Sequence, residues 1–383
     1  MSKTKLSTFQ LYAMVVLYCL GTSSILFVAR EARQDAWISI ILGGIASLII
    51  FVYLHGSIFK LNQEDNSYYD TIQKVFGKPI GKAVILLYAF YFIFITFFVL
   101  RDIVEITELY ILNRTPRYVI TIVEICVIIY GLHRGIETLF RTAELYLFIV
   151  IFCYLLVILL LPLSGVVNFD HLFPVLEKGI GPVLQSTPVL FLSIPFGELI
   201  VFLAFFPLVK DKRFGVKAGA FGLLTVILIM LLITIFLITT LGPYLAYNNP
   251  FPVVIMIRLI DVGDFIQRFD ALMILIFLTG SVFQILVLVK VAEESLKVVT
   301  NFPYKSVISI FIGILLYFGA YFVGESRRDY LYLGIKIFPY FISSIFEIGL
   351  PIIILILSIY HHIKGNKAQK NAAPEDAAPK TTG

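Results

Sequence analysis

Apolar runs of twenty or more residues recur along the chain, and they restrict it to one class of fold. At ~1.5 Å per residue, ~20 apolar residues in a helix cross the ~30 Å hydrocarbon core of a bilayer. With 59% hydrophobic and only 14% charged residues, the sequence predicts an all-α polytopic membrane protein. About ten transmembrane helices are predicted, near residues 9–29, 36–59, 82–108, 117–133, 138–162, 186–209, 215–241, 269–297, 305–323 and 335–360.

The segments between these spans share the positive charge unevenly. With the N-terminus inside, most of the 30 Lys and Arg residues fall on inner segments, which predicts that both termini are cytoplasmic. We expect one ten-helix membrane domain over residues 1–362. The small, polar, proline-containing residues 363–383 predict a disordered cytoplasmic tail.

Three connections differ from plain linkers. Residues 60–81 mix aromatic and charged residues, which predicts a short amphipathic helix on the inner surface. Residues 163–185 hold several Gly and Pro and predict a structured outer loop that leads into the sixth span. Residues 242–268 are long and apolar, and they predict an outer cap or lid.

The sixth predicted span contains VLFLSIPFGELIVFLAFFPLV, with poor helix chemistry at its centre. Pro195 removes a backbone donor and clashes with the preceding turn, and Gly197 weakens a helix. Glu198 brings a carboxylate to a depth where a charge costs at least ~2.5 kcal/mol. Irregular backbone at that depth must be buried in protein or line a wet cavity. The segment therefore predicts either a broken helix at a binding site or a kinked helix whose Glu198 bonds a neighbour.

A second weak point lies in the first span, where Gly21 is followed by three hydroxyl residues. If ten spans form two groups of five, the first span is the counterpart of the sixth. Matching interruptions are typical of transporters with inverted repeats, here about 9–162 and 186–360, although small polar residues also mark close helix contacts. Unpaired N–H groups at two breaks favour a carboxylate. Because Glu198 favours an amine, the pair suits a zwitterion such as a free amino acid.

Two sequences carry a family resemblance: GTSS in the first span, and NFDHLFPVLEKGIGPVLQSTPVLFLSIPFGELIVFLAFFPLV leading through the sixth. With ten spans and a short basic tail, they resemble the B subunit of spore-germination nutrient receptors. That family belongs to the amino acid–polyamine–organocation superfamily, so the resemblance implies LeuT-like inverted five-span repeats with broken first and sixth spans. It also implies a subunit of the inner membrane of a dormant spore. There it would bind a small nutrient and work with an A subunit and a lipoprotein C subunit.

The resemblance further implies where the ligand cavity lies, between the first, third, sixth and eighth spans. The implied contacts are Gly21, Thr22, Ser23, Phe94, Phe98, Phe196, Gly197, Glu198, Thr279, Ser281 and Phe283. Aromatic residues in this set would limit ligand size, and its two glycines would let the backbone approach the ligand.

An ion-coupled amino-acid permease is the alternative function, because the same site would serve both. Some proton-coupled relatives place a lysine in the fifth span, and this chain has none there after Arg141. Coupled pumping is therefore unsupported, although the hydroxyls of Thr279 and Ser281 would suit sodium. An enzyme is not expected, since no His or Cys group converges within the spans. The sequence predicts no cofactor, no metal site and no nucleic-acid partner. Glu124 and Glu347 lie well inside their spans and are further functional candidates.

Overall fold

The computed structural model describes residues 5–63, 67–261, 269–324 and 326–372, and the elements within these ranges are helical. The α-helices are α1 (Thr8–Leu20), α2 (Ala36–Ile49), α3 (Gly56–Leu61), α4 (Tyr68–Phe76), α5 (Lys78–Tyr110), α6 (Arg117–Arg134), α7 (Ile136–Leu163), α8 (Gly181–Leu192), α9 (Lys212–Asn248), α10 (Pro252–Arg258), α11 (Phe269–Thr300), α12 (Lys305–Phe322), α13 (Arg327–Leu331) and α14 (Leu350–Ala372). π-Helical turns join α2 to α3 at Ile50–His55, and α13 to α14 at Tyr332–Ser343 and Ile345–Gly349.

Seven helical segments in the described ranges are long and apolar enough to cross a membrane. They are Arg30–Leu61, Lys78–Tyr110, Ile136–Leu163, Lys212–Asn248, Phe269–Thr300, Lys305–Phe322 and Arg327–Lys364. Two shorter apolar helical segments, Thr8–Leu20 and Leu199–Leu208, belong to the first and sixth predicted spans. The prediction of an all-α polytopic membrane protein is confirmed, whereas the inverted repeats stay a prediction.

Both expected interruptions are present in the backbone. α1 ends at Leu20, Gly21 has non-helical angles (φ −40°, ψ −98°), and a single 3-10 turn, Thr22–Ser24, follows. α8 ends at Leu192, and the next helical turns begin only after Glu198, whose φ of 58° is left-handed. The helix breaks therefore occur at the residues whose local chemistry disfavours a helix.

The two breaks lie close together in the core of the bundle. α1 packs against α7, α9 and α11, and most of its residues are buried. Near its end, the Tyr18 hydroxyl donates to the Glu198 carbonyl oxygen across 3.3 Å. The Tyr18 ring also meets the Phe202 ring edge-on, with 5.2 Å between centroids. α5 packs along α11 and contacts the turn after the first break, so the third and eighth predicted spans flank the break of the first.

The structures of the three connections, residues 60–81, 163–185 and 242–268, agree in part with those predicted from the sequence. α4 buries Tyr68, Ile72 and Val75 and exposes Asp70, which confirms a short amphipathic helix. The loop after α7 holds a 3-10 turn at Phe169–Leu172. It is tied to the loop after α1, because the Asp35 carboxylate accepts the Leu176 N–H across 2.9 Å.

The predicted cap and tail lie only partly within the described ranges. α9 continues to Asn248 and α10 follows, so the first part of the cap is helical, while residues 262–268 fall outside the description. α14 continues past residue 362 to Ala372. The first ten residues of the predicted tail are thus helical, and residues 373–383 lie outside the described chain.

Candidate functional site

A cavity lies between the two helix breaks, α5, α13 and the π-helical turns that follow α13. It holds about 780 Å³ of space between atoms, which includes open solvent at its mouth. Its walls are mostly apolar, and the charged residues that border it are Arg30, Asp102, Glu198 and Arg327. We call the part of the cavity beside Arg30 and Arg327, which lie near the connections between helices, its outer end. We call the part beside Glu198, at the second break, its deep end.

Glu198 places a buried carboxylate at the deep end. The residue is 2% exposed, and its Oε1 accepts a hydrogen bond from Ser193 Oγ across 3.0 Å. Within the described ranges, no Lys, Arg or His forms an ion pair with it. Because burying an unpaired charge is unfavourable, this carboxylate favours a cationic guest group such as an ammonium.

Several polar groups at the first break form hydrogen bonds within the protein. The Thr22 N–H and hydroxyl both donate to Gln284 Oε1 of α11, each across 3.2 Å. Ser23 Oγ donates to the Cys19 carbonyl oxygen at 2.5 Å, and Ser24 Oγ donates to the preceding turn. Thr22 borders the cavity, but its N–H is already paired. The Thr22 N–H is therefore not one of the unpaired N–H groups expected at the breaks, because a buried side-chain amide accepts from it.

Aromatic residues form part of the cavity wall. Phe98 and Phe338 border it, with 5.3 Å between their centroids. Phe94 packs behind them, 5.5 Å from the Phe98 ring and 5.4 Å from the Phe338 ring. Phe196 is also one layer back, where its carbonyl oxygen accepts a hydrogen bond from Ser47 Oγ at 2.6 Å. Phe98 is thus the predicted aromatic residue that reaches the cavity.

Thr279 and Phe283 lie elsewhere. Thr279 is exposed, and its hydroxyl forms a hydrogen bond with the Tyr146 hydroxyl of α7. The Phe283 ring stacks on the Tyr146 ring, with 5.8 Å between centroids. The structure therefore does not bring these two predicted residues to the cavity. α11 is buried on several sides, so its sequence did not fix its rotation, and Gln284 faces the first break instead.

Four polar residues at the outer end were absent from the predicted site. Arg327 Nη1 lies 3.0 Å from Asp102 Oδ1, and the Tyr330 hydroxyl donates to Asp102 Oδ2 across 2.6 Å. Arg30 donates to the Tyr247 carbonyl oxygen, and its guanidinium lies 4.8 Å from the centroid of that ring. One of these residues could have been predicted from the sequence, because Asp102 is an acid inside a predicted span. Arg30 and Arg327 could not, since arginines between spans also serve to orient the chain.

The other two intramembrane acids lie outside this cavity. Glu347 is 2% exposed; its Oε1 accepts a hydrogen bond from the Tyr91 hydroxyl at 2.9 Å, and its Oε2 accepts one from the Ile200 N–H at 3.4 Å. Glu347 therefore stabilises the helical turns that follow the second break. Glu124 is partly exposed on α6. Among the described residues, no group of three His, Cys, Asp or Glu side chains is arranged to hold a metal ion.

Comparisons with known proteins point to a single family. The family model described as "Spore germination protein" matches residues 5–326. The chain is 28% identical to Spore germination protein KB of Bacillus subtilis (strain 168), over 97% of this chain and 100% of that protein. It is also 26% identical to Spore germination protein A2 of the same strain, over 86% and 89% of the two chains. Spore germination protein XB of Bacillus anthracis is 23% identical, over 88% and 91%. The matched region contains both helix breaks.

Proposed function

Because the chain belongs to the spore germination protein family, we propose that it is the membrane subunit of a germinant receptor and binds a free amino acid between its helix breaks. The observation that carries this proposal is the separation of charge in one otherwise apolar cavity. Glu198 lies at the deep end, and Arg30 and Arg327 lie at the outer end. A zwitterion complements both ends, whereas a neutral sugar or nucleoside complements neither.

The proposed binding region keeps most of the residues expected from the sequence. It comprises Gly21, Thr22, Ser23, Phe94, Phe98, Phe196, Gly197 and Glu198. Three of them, Thr22, Phe98 and Glu198, border the cavity, and the others hold those three in position. Thr279 and Phe283 are left out because they face Tyr146.

The cellular setting is part of the same proposal. We propose a LeuT-like scaffold in the spore inner membrane, with both termini cytoplasmic and with an A subunit and a lipoprotein C subunit as partners. The family, the two breaks and the distribution of Lys and Arg support this setting. We propose neither a cofactor nor an enzymatic step.

The test is ligand binding to the purified full-length chain in lipid nanodiscs. Each of the twenty L-amino acids, glucose and inosine would be added separately while the melting temperature is recorded. We expect one or a few amino acids to raise it in a saturable way, because ligands that bind only the folded state stabilise it. Stabilisation by glucose or inosine, with none by any amino acid, would overturn the proposed ligand class.

A permease with the same cavity would move its ligand across the membrane. Uptake of the radiolabelled stabilising amino acid into proteoliposomes distinguishes the two functions. A receptor binds without net uptake, even with an imposed sodium or proton gradient. Saturable uptake that depends on such a gradient would favour the permease.

We expect Glu198→Gln to weaken amino-acid binding at least tenfold, because a neutral amide cannot replace a buried carboxylate as partner of an ammonium. Affinity would be measured in nanodiscs after the amount of folded protein is matched. Glu124→Gln is the control, since Glu124 is a partly exposed acid on α6 and should leave affinity unchanged. Equal affinity in Glu198→Gln and wild type would remove Glu198 from the site.

Phe98→Ala should widen the cavity and shift preference toward larger amino acids by roughly tenfold to a few hundredfold. The measurement is the ratio of the affinities for leucine and alanine. Phe283→Ala is the matched control: it also removes a largely buried ring, but one that stacks on Tyr146, so the ratio should not change. If the control shifted the ratio as strongly as Phe98→Ala, the assignment of the cavity wall would fail.

A further inference from the structure

Arg327 is held firmly at the outer end of the cavity. Its Nη1 donates to Asp102 Oδ1 at 3.0 Å and to Glu105 Oε2 at 2.8 Å. Its guanidinium carbon lies 4.6 Å from the centroid of the Phe251 ring and 5.0 Å from that of the Tyr330 ring. Two carboxylates and two rings therefore fix both the position and the plane of the guanidinium.

The other edge of the same guanidinium has no partner. Nε and Nη2 of Arg327 are buried and donate no hydrogen bond to any of the described residues. Buried donors are rarely left unpaired, because the loss of water is then uncompensated. Two parallel N–H groups on a planar fork match the two oxygens of a carboxylate. Since Arg327 borders the cavity, a ligand can supply that carboxylate.

Two backbone donors near the cavity are already paired. The Thr22 N–H is bound to Gln284 Oε1, and the Gly197 N–H donates to the Ser193 carbonyl oxygen at 2.6 Å. Backbone N–H groups at these two positions of the breaks are therefore unavailable to an anion.

Charge at the outer end agrees with an anionic guest. Of the charged residues that border this end, Arg30 and Arg327 carry two positive charges and Asp102 carries one negative charge. Glu198 supplies a negative charge at the deep end.

We propose that Arg327 binds the carboxylate of the amino acid through Nε–H and Nη2–H, an assignment that rests on the proposed function. The ligand then lies with its ammonium toward Glu198 and its carboxylate toward the outer end. Asp102 and Tyr330 act as positioning residues, because they hold Arg327 and do not contact the ligand. The site accepts α-amino acids with a free carboxylate and rejects those whose carboxylate is blocked.

The first test uses the unmodified chain, so that folding of a variant cannot confuse it. For each amino acid that raises the melting temperature in nanodiscs, the matching amino-acid amide is titrated as the probe. Loss of a bidentate charged contact predicts affinity lower by tenfold to about a hundredfold for the amide. An amide that binds as tightly as its amino acid would overturn the assignment and leave the proposed function intact. Binding of no amino acid at all would overturn both.

The second test identifies the residue. Arg327→Lys keeps the charge but loses the fork, so it should bind the amino acid tenfold to a hundredfold more weakly while binding the amide as wild type does. Arg328→Lys is the matched control on the same helix, where Arg328 is exposed, and it should bind both probes as wild type. If Arg327→Lys discriminated acid from amide as well as wild type does, the carboxylate would be bound elsewhere. If Arg30→Lys removed that discrimination instead, the assignment to Arg327 would likewise be overturned.

Discussion

Gly197→Ala is expected to remove ligand binding and to lower the free energy of unfolding by about 3 kcal/mol, the upper end of the usual range for overpacking. A Cβ at this position would lie 2.4 Å from both the backbone N and O of Ser193, and 2.5 Å from the carbonyl carbon of Leu192. Backbone atoms cannot turn aside as a side chain does, so the break itself must change shape. Because Ser193 also bonds the Glu198 carboxylate, that change moves the deep end of the cavity.

Gly215→Ala is the matched control for this prediction. The added Cβ would lie 3.7 Å from a Phe206 carbon and 3.8 Å from a Val209 carbon, which is ordinary contact. Gly215 is inside α9, so alanine should be neutral or stabilise the chain by up to about 1 kcal/mol. Melting temperature and amino-acid affinity of both variants would be measured in nanodiscs. Similar results for the two variants would show that the break does not depend on Gly197.

Local chemistry explains why the breaks were predictable. Pro195 and Gly197 disfavour a helix wherever they occur, and Gly21 with its hydroxyl neighbours does the same over four residues. α4 was predictable for a similar reason, since its apolar and charged residues alternate at helical spacing. These features need no knowledge of what packs against the segment.

Contacts between distant segments explain what was missed. Asp102 and Arg327 are 225 residues apart, and no periodicity in the sequence links them. Gln284 reaches the first break across 262 residues, where its side-chain oxygen accepts from the Thr22 N–H. Long-range pairing therefore decides which polar groups at the breaks stay unpaired.

The rotation of α11 is a second limit. Thr279, Phe283 and Gln284 are close in sequence, yet the first two face Tyr146 and the third faces the first break. A helix with an apolar–polar contrast reveals its buried face through that contrast. α11 is apolar and buried on several sides, so its sequence could not identify which of its residues faces the first break.

Asp102→Ala should produce a large loss of stability without touching either helix break. Asp102 is 2% exposed and accepts hydrogen bonds from Arg327 Nη1 and from the Tyr330 hydroxyl. Its removal leaves the Tyr330 hydroxyl with the more distant Phe98 carbonyl oxygen, 3.4 Å away, and leaves the guanidinium with Glu105 as its remaining ion-pair partner. Breaking a buried ion pair from one side costs about 3–5 kcal/mol, which we expect as a clear fall in melting temperature.

Two further variants separate the effect of this buried ion pair from that of a single hydrogen bond and from that of an exposed ion pair. Tyr330→Phe removes one hydrogen bond to Asp102 and should cost only about 0.5–1.5 kcal/mol. Glu108→Ala breaks an ion pair with Arg117 whose side chains are 30% and 41% exposed, and exposed pairs contribute about 0–1 kcal/mol. The expected order of destabilisation is therefore Asp102→Ala first, then the other two. If Glu108→Ala were as harmful as Asp102→Ala, burial would not explain the effect. If Asp102→Ala left the melting temperature unchanged, Arg327 would not depend on this pair, and the rigid outer end would have another cause.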